Sequence, residues 1–138
     1  MSGDLQWAII RNNSCFLVKS QGKTLTKEPN NVTGINSYKY NGLVNKKVMG
    51  VEQAPSGKGV VLTVKKTSGA TNKPCKMYHK VTLAKDSRRS LKAIKSLCSN
   101  GYYRQDLQDA ALRRASLILR SQKPTAGVQK KRSRRKRS

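Results

Sequence analysis

Acidic residues are scarce in this chain of 138 residues, where six Asp and Glu stand against 30 Lys and Arg and the net charge is +24 at pH 7. A compact body with that much charge of one sign repels itself unless a polyanion neutralises it. The six carboxylates are scattered along the sequence, so no pair is indicated for general acid–base catalysis. The composition therefore predicts a polyanion-binding protein rather than an enzyme.

Histidine and cysteine are also few: the chain has one histidine, His79, and three cysteines, Cys15, Cys75 and Cys98, with no Cys-x-x-Cys pair. An odd number at wide spacing indicates neither a disulfide framework nor a redox pair. The four residues could nominally form a zinc site, but structural zinc sites usually draw their ligands from closely spaced pairs. We expect buried free thiols, and we predict no catalytic residue, no metal site, no cofactor and no small-molecule substrate.

Long apolar runs are missing as well. None approaches the roughly twenty residues that a helix needs to cross a bilayer, so no membrane partner is expected. The first residues do not resemble a signal peptide, because residues 1–4 lack a basic start and Arg11 interrupts the apolar run behind them. These features predict a cytosolic or nuclear protein.

The patterns that are present predict an α+β fold: a mostly antiparallel sheet with a short N-terminal helix, two C-terminal helices and a basic disordered tail. Asp4 is a favoured N-cap for a helix in which Leu5, Ala8 and Ile9 share one face. Alternating and β-branched runs predict strands, and spacings of three and four predict helices. The strands are expected at residues 15–19, 23–27, 48–52, 60–66 and 77–83, and the helices at residues 5–11, 86–99 and about 106–120.

The chain is predicted to divide into a compact RNA-binding body (1–104), a basic helix (105–124) and a basic extension (125–138). The basic helix is expected to leave the body and lie along RNA. Trp7, Phe16 and residues 60–64 are expected to be largely buried, because they are the densest apolar positions.

The stretch at residues 36–51 combines aromatic rings, a turn and positive charge. Tyr38 and Tyr40 are two apart, so on a strand both would face one side and Lys39 the other. An Asn-Gly turn signal and a lysine pair follow. These are the ingredients of an RNA-binding surface. An ordinary surface hairpin with two half-buried tyrosines would show the same alternation.

Positive charge is uneven, since residues 1–68 hold ten Lys and Arg and residues 69–138 hold twenty, with three acids in each part. The charge recurs in loops, helices and tail, which predicts RNA binding mainly through phosphates. The candidate RNA contacts are Tyr38, Lys39, Tyr40, Lys46, Lys47, Lys65, Lys66, Arg88, Arg89, Tyr102, Tyr103, Arg104, Arg113, Arg114, Arg120, Lys123, Lys130, Lys131, Arg132, Arg134, Arg135, Lys136 and Arg137.

Several runs, in order and nearly end to end, carry a resemblance: residues 5–7, 9–12, 14–19, 28–31, 36–43, 48–52, 57–61 and 113–124. Together they resemble the eukaryotic large-subunit ribosomal protein twenty-eight family. The resemblance implies a protein on the surface of the large subunit that contacts ribosomal RNA and neighbouring ribosomal proteins, takes part in translation and has no enzymatic role. It also implies a cytoplasmic location on ribosomes after nuclear and nucleolar passage during assembly.

The region around Trp7 and the Cys15-Phe16 pair is also similar to the Mak-sixteen-type ribosome-biogenesis factors, which are longer and carry acidic tails. A nucleolar ribosome-assembly factor that binds pre-ribosomal RNA is therefore the alternative function.

Overall fold

The computed structural model describes residues 2–68 and 73–123. Antiparallel strands are grouped in the first two thirds of the chain and the two longest helices follow them, which confirms the predicted α+β class. In chain order they are α1 (Gly3–Ile10), β1 (Leu17–Ser20), β2 (Lys23–Thr26), β3 (Met49–Gln53), β4 (Val60–Lys65), α2 (Pro74–Met77), β5 (Tyr78–Leu83), α3 (Ser87–Ser99), a 3₁₀ turn (Gln105–Leu107) and α4 (Gln108–Ser121). The predicted basic extension, residues 125–138, lies outside the described residues.

The strands form two antiparallel sheets rather than the single sheet expected. The β1–β2 hairpin turns at Gln21 and Gly22, both with positive φ, and it stays separate from a three-stranded sheet of order β3-β4-β5. The chain between β2 and β3 folds into turns, and no described strand pairs the hairpin with the larger sheet. A single bridge, between Leu25 and Ile35, is all the strand pairing that this connection makes among the described residues.

The core lies on one face of the three-stranded sheet. Register places Met49 opposite Val64 and Val51 opposite Leu62, so their side chains share that face. Helices α3 and α4 pack over it through Ile94 and other buried residues. Each large side chain that becomes fully buried here stabilises the fold by about 1.5–3 kcal/mol.

Helix α4 belongs to this core, and the expectation that it leaves the body is wrong. Leu107, Ala111, Ala115 and Leu119 are all buried against the sheet and α3. The two alanines fall one turn apart on the same face, so the helix backbone can approach β3 closely. The sequence spacing predicts an apolar seam of Leu107, Ala111, Ala115 and Ile118. The first three are buried, whereas at the end of the helix Leu119 is buried and Ile118 is half-buried.

Trp7 and Phe16 are half-buried, so the prediction that they form the core is wrong. Within residues 60–64, Val60, Leu62 and Thr63 are buried as expected, and Val61 and Val64 are half-buried. Helix α1 has no buried residue, since no sheet lies beneath it. Its predicted apolar face is open, because Leu5 and Ile9 are 55% and 61% exposed. The Ser2 hydroxyl caps the helix by accepting from the Leu5 N–H at 3.3 Å, in place of the expected Asp4.

The expectation of buried thiols holds for one cysteine of three. Cys98 is fully buried in the core, where desolvation raises the pKa of its thiol. Cys15 and Cys75 are exposed, since both lie outside the three-stranded sheet and its helices. Within the described ranges, no cluster of three potential metal ligands exists, and no helix is long and apolar enough to cross a bilayer.

Candidate nucleic-acid interface

The connection from β2 to β3 is a series of turns, so Tyr38 and Tyr40 do not lie on a strand, and the alternative of a surface hairpin is wrong as well. Tyr38, Lys39 and Tyr40 occupy one turn instead of alternating across a sheet. The Tyr38 ring contacts Trp7, with ring centroids 6.0 Å apart, and is 41% exposed. The Lys39 Nζ lies 5.6 Å from the centre of the half-buried Tyr40 ring.

A buried carboxylate organises this connection. Glu28 is 8% exposed and is surrounded by neutral donors. Its Oε1 accepts from Asn31 Nδ2 at 2.7 Å and from the Gly42 N–H at 3.1 Å, and its Oε2 accepts from Asn41 Nδ2 at 2.7 Å. These hydrogen bonds compensate the desolvation of the charge, and they draw two distant parts of the connection together.

The Glu28 cluster fixes the turn that leads into β3. The Asn41 Oδ1 accepts from the Val44 N–H at 2.8 Å, and Asn45 Nδ2 donates to the Asn41 carbonyl at 2.8 Å. A Cβ at Gly42 would overlap the Pro29 carbonyl oxygen, so only glycine fits there. The chain thus reaches Lys46 and Lys47 in one conformation.

Two predicted lysine pairs meet at the end of this turn. Lys46 and Lys47 precede β3, Lys65 is the last residue of β4 and Lys66 follows it. The antiparallel pairing of the two strands brings these ends together. The four lysines line an open cleft of about 560 Å³, which we call the lysine cleft. Its other lining residues are Gln6, Leu43, Val44, Thr67 and Met77, so no acid lines it.

Tyr103 holds the backbone on both sides of the lysine cleft. Its hydroxyl accepts from the Val48 N–H at 3.0 Å and donates to the Lys65 carbonyl at 2.7 Å. Its ring lies 5.8 Å from the Lys47 Nζ. Desolvation raises the pKa of the Tyr103 phenol, so it remains a neutral donor. Tyr103 therefore links the two backbone segments beside the lysine cleft, and its contact with RNA stays a prediction.

Arg104 is the second positioning residue, although the sequence suggested an RNA contact. Its guanidinium donates to the Lys47 carbonyl at 2.9 Å and to the Lys39 carbonyl at 2.7 Å. It also binds the Asp106 carboxylate through two 2.9 Å hydrogen bonds, which hold the pKa of Asp106 below its ordinary value. The Arg104 side chain is only 14% exposed. A contact of Arg104 with RNA stays a prediction.

The electrostatics of the lysine cleft favour an anion. Burial lowers the pKa of Lys65, whose Nζ donates to the Asn45 carbonyl at 3.1 Å. Four ammonium groups without a lining carboxylate destabilise one another through charge repulsion. A phosphate bound between them would offset both the repulsion and the partial desolvation of Lys65.

The remaining predicted residues are spread over other surfaces. Tyr102 is 76% exposed and has the most accessible ring for stacking. The rest are exposed on the helices: Arg88 and Arg89 begin α3, Arg113, Arg114 and Arg120 lie on α4, and Lys123 follows it. The tail residues Lys130, Lys131, Arg132, Arg134, Arg135, Lys136 and Arg137 lie outside the described residues. Their contacts with RNA stay predictions.

Two sequence features could have located the lysine cleft and the Glu28 cluster. The two predicted strands beside the lysine pairs, if paired antiparallel, place all four lysines at one end of a hairpin. Glu28 is the one acid between Asp4 and Glu52, and five asparagines follow it before residue 46. That pattern is typical of a polar side-chain network rather than of a strand.

Comparisons with known proteins agree over most of the chain. The model of the Ribosomal L28e protein family matches residues 5–121. The large ribosomal subunit protein eL28 of Schizosaccharomyces pombe is 41% identical over 132 residues, covering 93% of this chain and 98% of that protein. The eL28 proteins of Caenorhabditis elegans (38% identity, 94% and 98% covered) and Dictyostelium discoideum (36%, 96% and 100%) are similar over comparable spans.

Proposed function

The chain belongs to the Ribosomal L28e protein family, and on that premise we propose that it is a structural constituent of the large subunit of the eukaryotic cytosolic ribosome that binds ribosomal RNA. The observation that carries the RNA-binding part is the lysine cleft, where four lysines converge without an acid. The described cations are also far from neutralised, because only two ion pairs form among the described residues.

The lysine cleft binds phosphates of the RNA backbone. Lysine ammonium groups act as point charges toward phosphate and do not read base identity, so the contacts position the protein on RNA. Tyr103 and Arg104 keep the backbone at Lys47 fixed, which limits the entropy lost when RNA binds. Tyr102 extends into solvent and could stack on an unpaired base nearby.

The same premise supports the broader role. We propose that the protein contacts neighbouring ribosomal proteins, takes part in translation in the cytoplasm without catalysing a reaction, and joins the subunit during nucleolar assembly. The names of its relatives favour a component of the ribosome over an assembly factor that binds pre-ribosomal RNA. Co-sedimentation of the full chain with translating large subunits tests this, and recovery only with nucleolar precursors would contradict it.

The lysine cleft itself is tested by removing charge at matched positions. We expect Lys46→Gln with Lys66→Gln to weaken binding of the full chain to purified large-subunit RNA. Loss of two phosphate contacts should reduce the magnitude of the slope of log affinity against log salt by about 1.4–1.8. The control, Lys23→Gln with Lys58→Gln, removes the same charge from exposed positions in the two hairpins. Equal slopes for both double variants would show that net charge, and not the lysine cleft, sets the affinity.

A further inference from the structure

A second basic surface lies between α3 and α4 and shares no residue with the lysine cleft. We call it the α3–α4 groove: it is a shallow depression of about 360 Å³ lined by Leu91, Lys92, Lys95, Leu112, Arg113 and Ser116. The two leucines are half-buried and pack against the core, so their outer atoms form the floor. The other four residues are exposed and form the rim.

The rim is positive, and nothing in the described chain neutralises it. Lys92, Lys95 and Arg113 form no ion pair with any described acid. The Ser116 hydroxyl donates to the Arg113 carbonyl at 2.8 Å, so its proton is already used. One helical turn beyond Arg113, Leu117 is 64% exposed and continues the apolar surface.

This chemistry fits a peptide better than RNA. Backbone phosphates of RNA need only cations, as in the lysine cleft, whereas almost the whole exposed lining of the α3–α4 groove is apolar. A leucine floor instead fits an aliphatic or aromatic side chain of a protein. Three cations above that floor attract carboxylates, which this chain has in very small number.

We propose that the α3–α4 groove binds an acidic amphipathic segment of a neighbouring protein in the large subunit. An apolar side chain of that segment packs on Leu91 and Leu112, and its carboxylates pair with Lys92, Lys95 and Arg113. This inference rests on the proposed function, since the partner is another component of the same particle.

Photocrosslinking in purified large subunits tests the occupant directly. Benzoylphenylalanine replaces Ser116 in one full-length chain and Lys66, in the lysine cleft, in another. We expect the crosslinker at position 116 to join a protein segment in which Asp or Glu alternates with apolar residues. The crosslinker at position 66 should join ribosomal RNA.

Charge reversal then tests the pairing. Lys92→Glu with Lys95→Glu should lower the yield of the position-116 crosslink at least about tenfold, because like charges would face the acidic segment. The control, Lys58→Glu with Lys80→Glu, reverses two exposed charges outside the α3–α4 groove and should leave the yield unchanged. The crosslinked segment is sequenced from subunits that carry the Ser116 crosslinker without charge reversal. The identity of the partner is therefore determined even if a charge-reversed variant fails to assemble.

The outcomes separate the two proposals. A position-116 crosslink to RNA, to a segment without acidic residues, or to nothing, together with an RNA crosslink from position 66, overturns the peptide-binding inference alone. A position-116 crosslink to an acidic segment without an RNA crosslink from position 66 supports the inference and contradicts the role of the lysine cleft. A chain that does not sediment with large subunits overturns both.

Discussion

Replacing Tyr103 by phenylalanine should destabilise the protein, because its hydroxyl links the segments on both sides of the lysine cleft. The hydroxyl accepts from the Val48 N–H and donates to the Lys65 carbonyl. Val48 is 3% exposed, so water cannot easily replace the lost acceptor. The Val48 carbonyl keeps its hydrogen bond from the Lys65 N–H at 3.0 Å.

The size of the destabilisation follows from the backbone groups that lose their hydrogen-bond partner. An unpaired buried N–H costs about 1–3 kcal/mol, and loss of the donated hydrogen bond adds about 1 kcal/mol. We therefore expect Tyr103→Phe to lower the free energy of unfolding by about 2–4 kcal/mol. For a chain of this size, that corresponds to a fall in Tm of about 6–16 °C.

Tyr102→Phe is a matched control, because it makes the same chemical change at the adjacent residue. The Tyr102 ring is 76% exposed, and its hydroxyl has no hydrogen-bond partner within the described ranges, so the change should stay within about 0.5 kcal/mol. Urea denaturation of both full-length variants, followed by circular dichroism, measures the difference. If the two variants unfold at the same urea concentration, the linking role of Tyr103 is refuted.

Tyr103→Phe also distinguishes the contribution of lysine positioning to RNA affinity from the contribution of lysine charge. Tyr103→Phe removes no cation, so the dependence of affinity on salt should keep its slope. The affinity itself should fall, since the backbone at Lys47 and Lys65 is no longer held in place. A reduced slope would instead mean that a lysine had left the interface.

Three other perturbations test the connection that carries the lysine cleft. Glu28→Gln should lower the free energy of unfolding by about 2–4 kcal/mol, because the new NH₂ group would face donors that now bind the carboxylate. The control is Glu52→Gln at an exposed position, and equal melting temperatures for the two variants would contradict the stabilising role of the Glu28 hydrogen bonds. Gly42→Ala should cost about 3 kcal/mol or more, because the added Cβ would overlap a backbone carbonyl, and an unchanged melting temperature would show that the turn relaxes freely. The Arg104 hydrogen bonds lower the pKa of Asp106, so their contribution to stability should persist above its ordinary value of 3.8 and disappear as pH falls through the lowered value. The difference in urea stability between wild type and Asp106→Asn, measured from about pH 6 to about pH 2, should therefore shrink at the acid end, and a difference independent of pH would contradict this.

Local periodicity was sufficient to locate most elements. The run at residues 60–65 is β-branched and apolar, and the three- and four-residue spacings of Leu91, Ile94 and Cys98 fit only a helix. Such patterns depend on neighbours within a few residues, which is why they can be read without the fold. They failed at Tyr38 and Tyr40, where a side-chain network anchored by Glu28 overrides the alternation.

The burial of side chains was predicted less well than the type of element, because the hydrophobicity of a residue does not tell whether another element packs against it. Trp7 is the one tryptophan, yet no sheet forms beneath α1, so its ring rests at the edge of the fold against Tyr38. Helix α4 shows the opposite error. Its basic composition suggested a free helix, but its alanine seam fits closely on β3.

The sequence by itself determined the net charge, the resemblance to the family and the presence of two lysine pairs, since these depend on residue identity or on adjacent positions. The tertiary structure alone decided that the lysine pairs share one cleft and that Tyr103 and Arg104 position it from more than thirty residues away. It also decided that two leucines and three cations meet between α3 and α4. The physical reason is that these features are contacts between distant segments, and their geometry follows from strand pairing, helix packing and side-chain hydrogen bonds that no local pattern specifies.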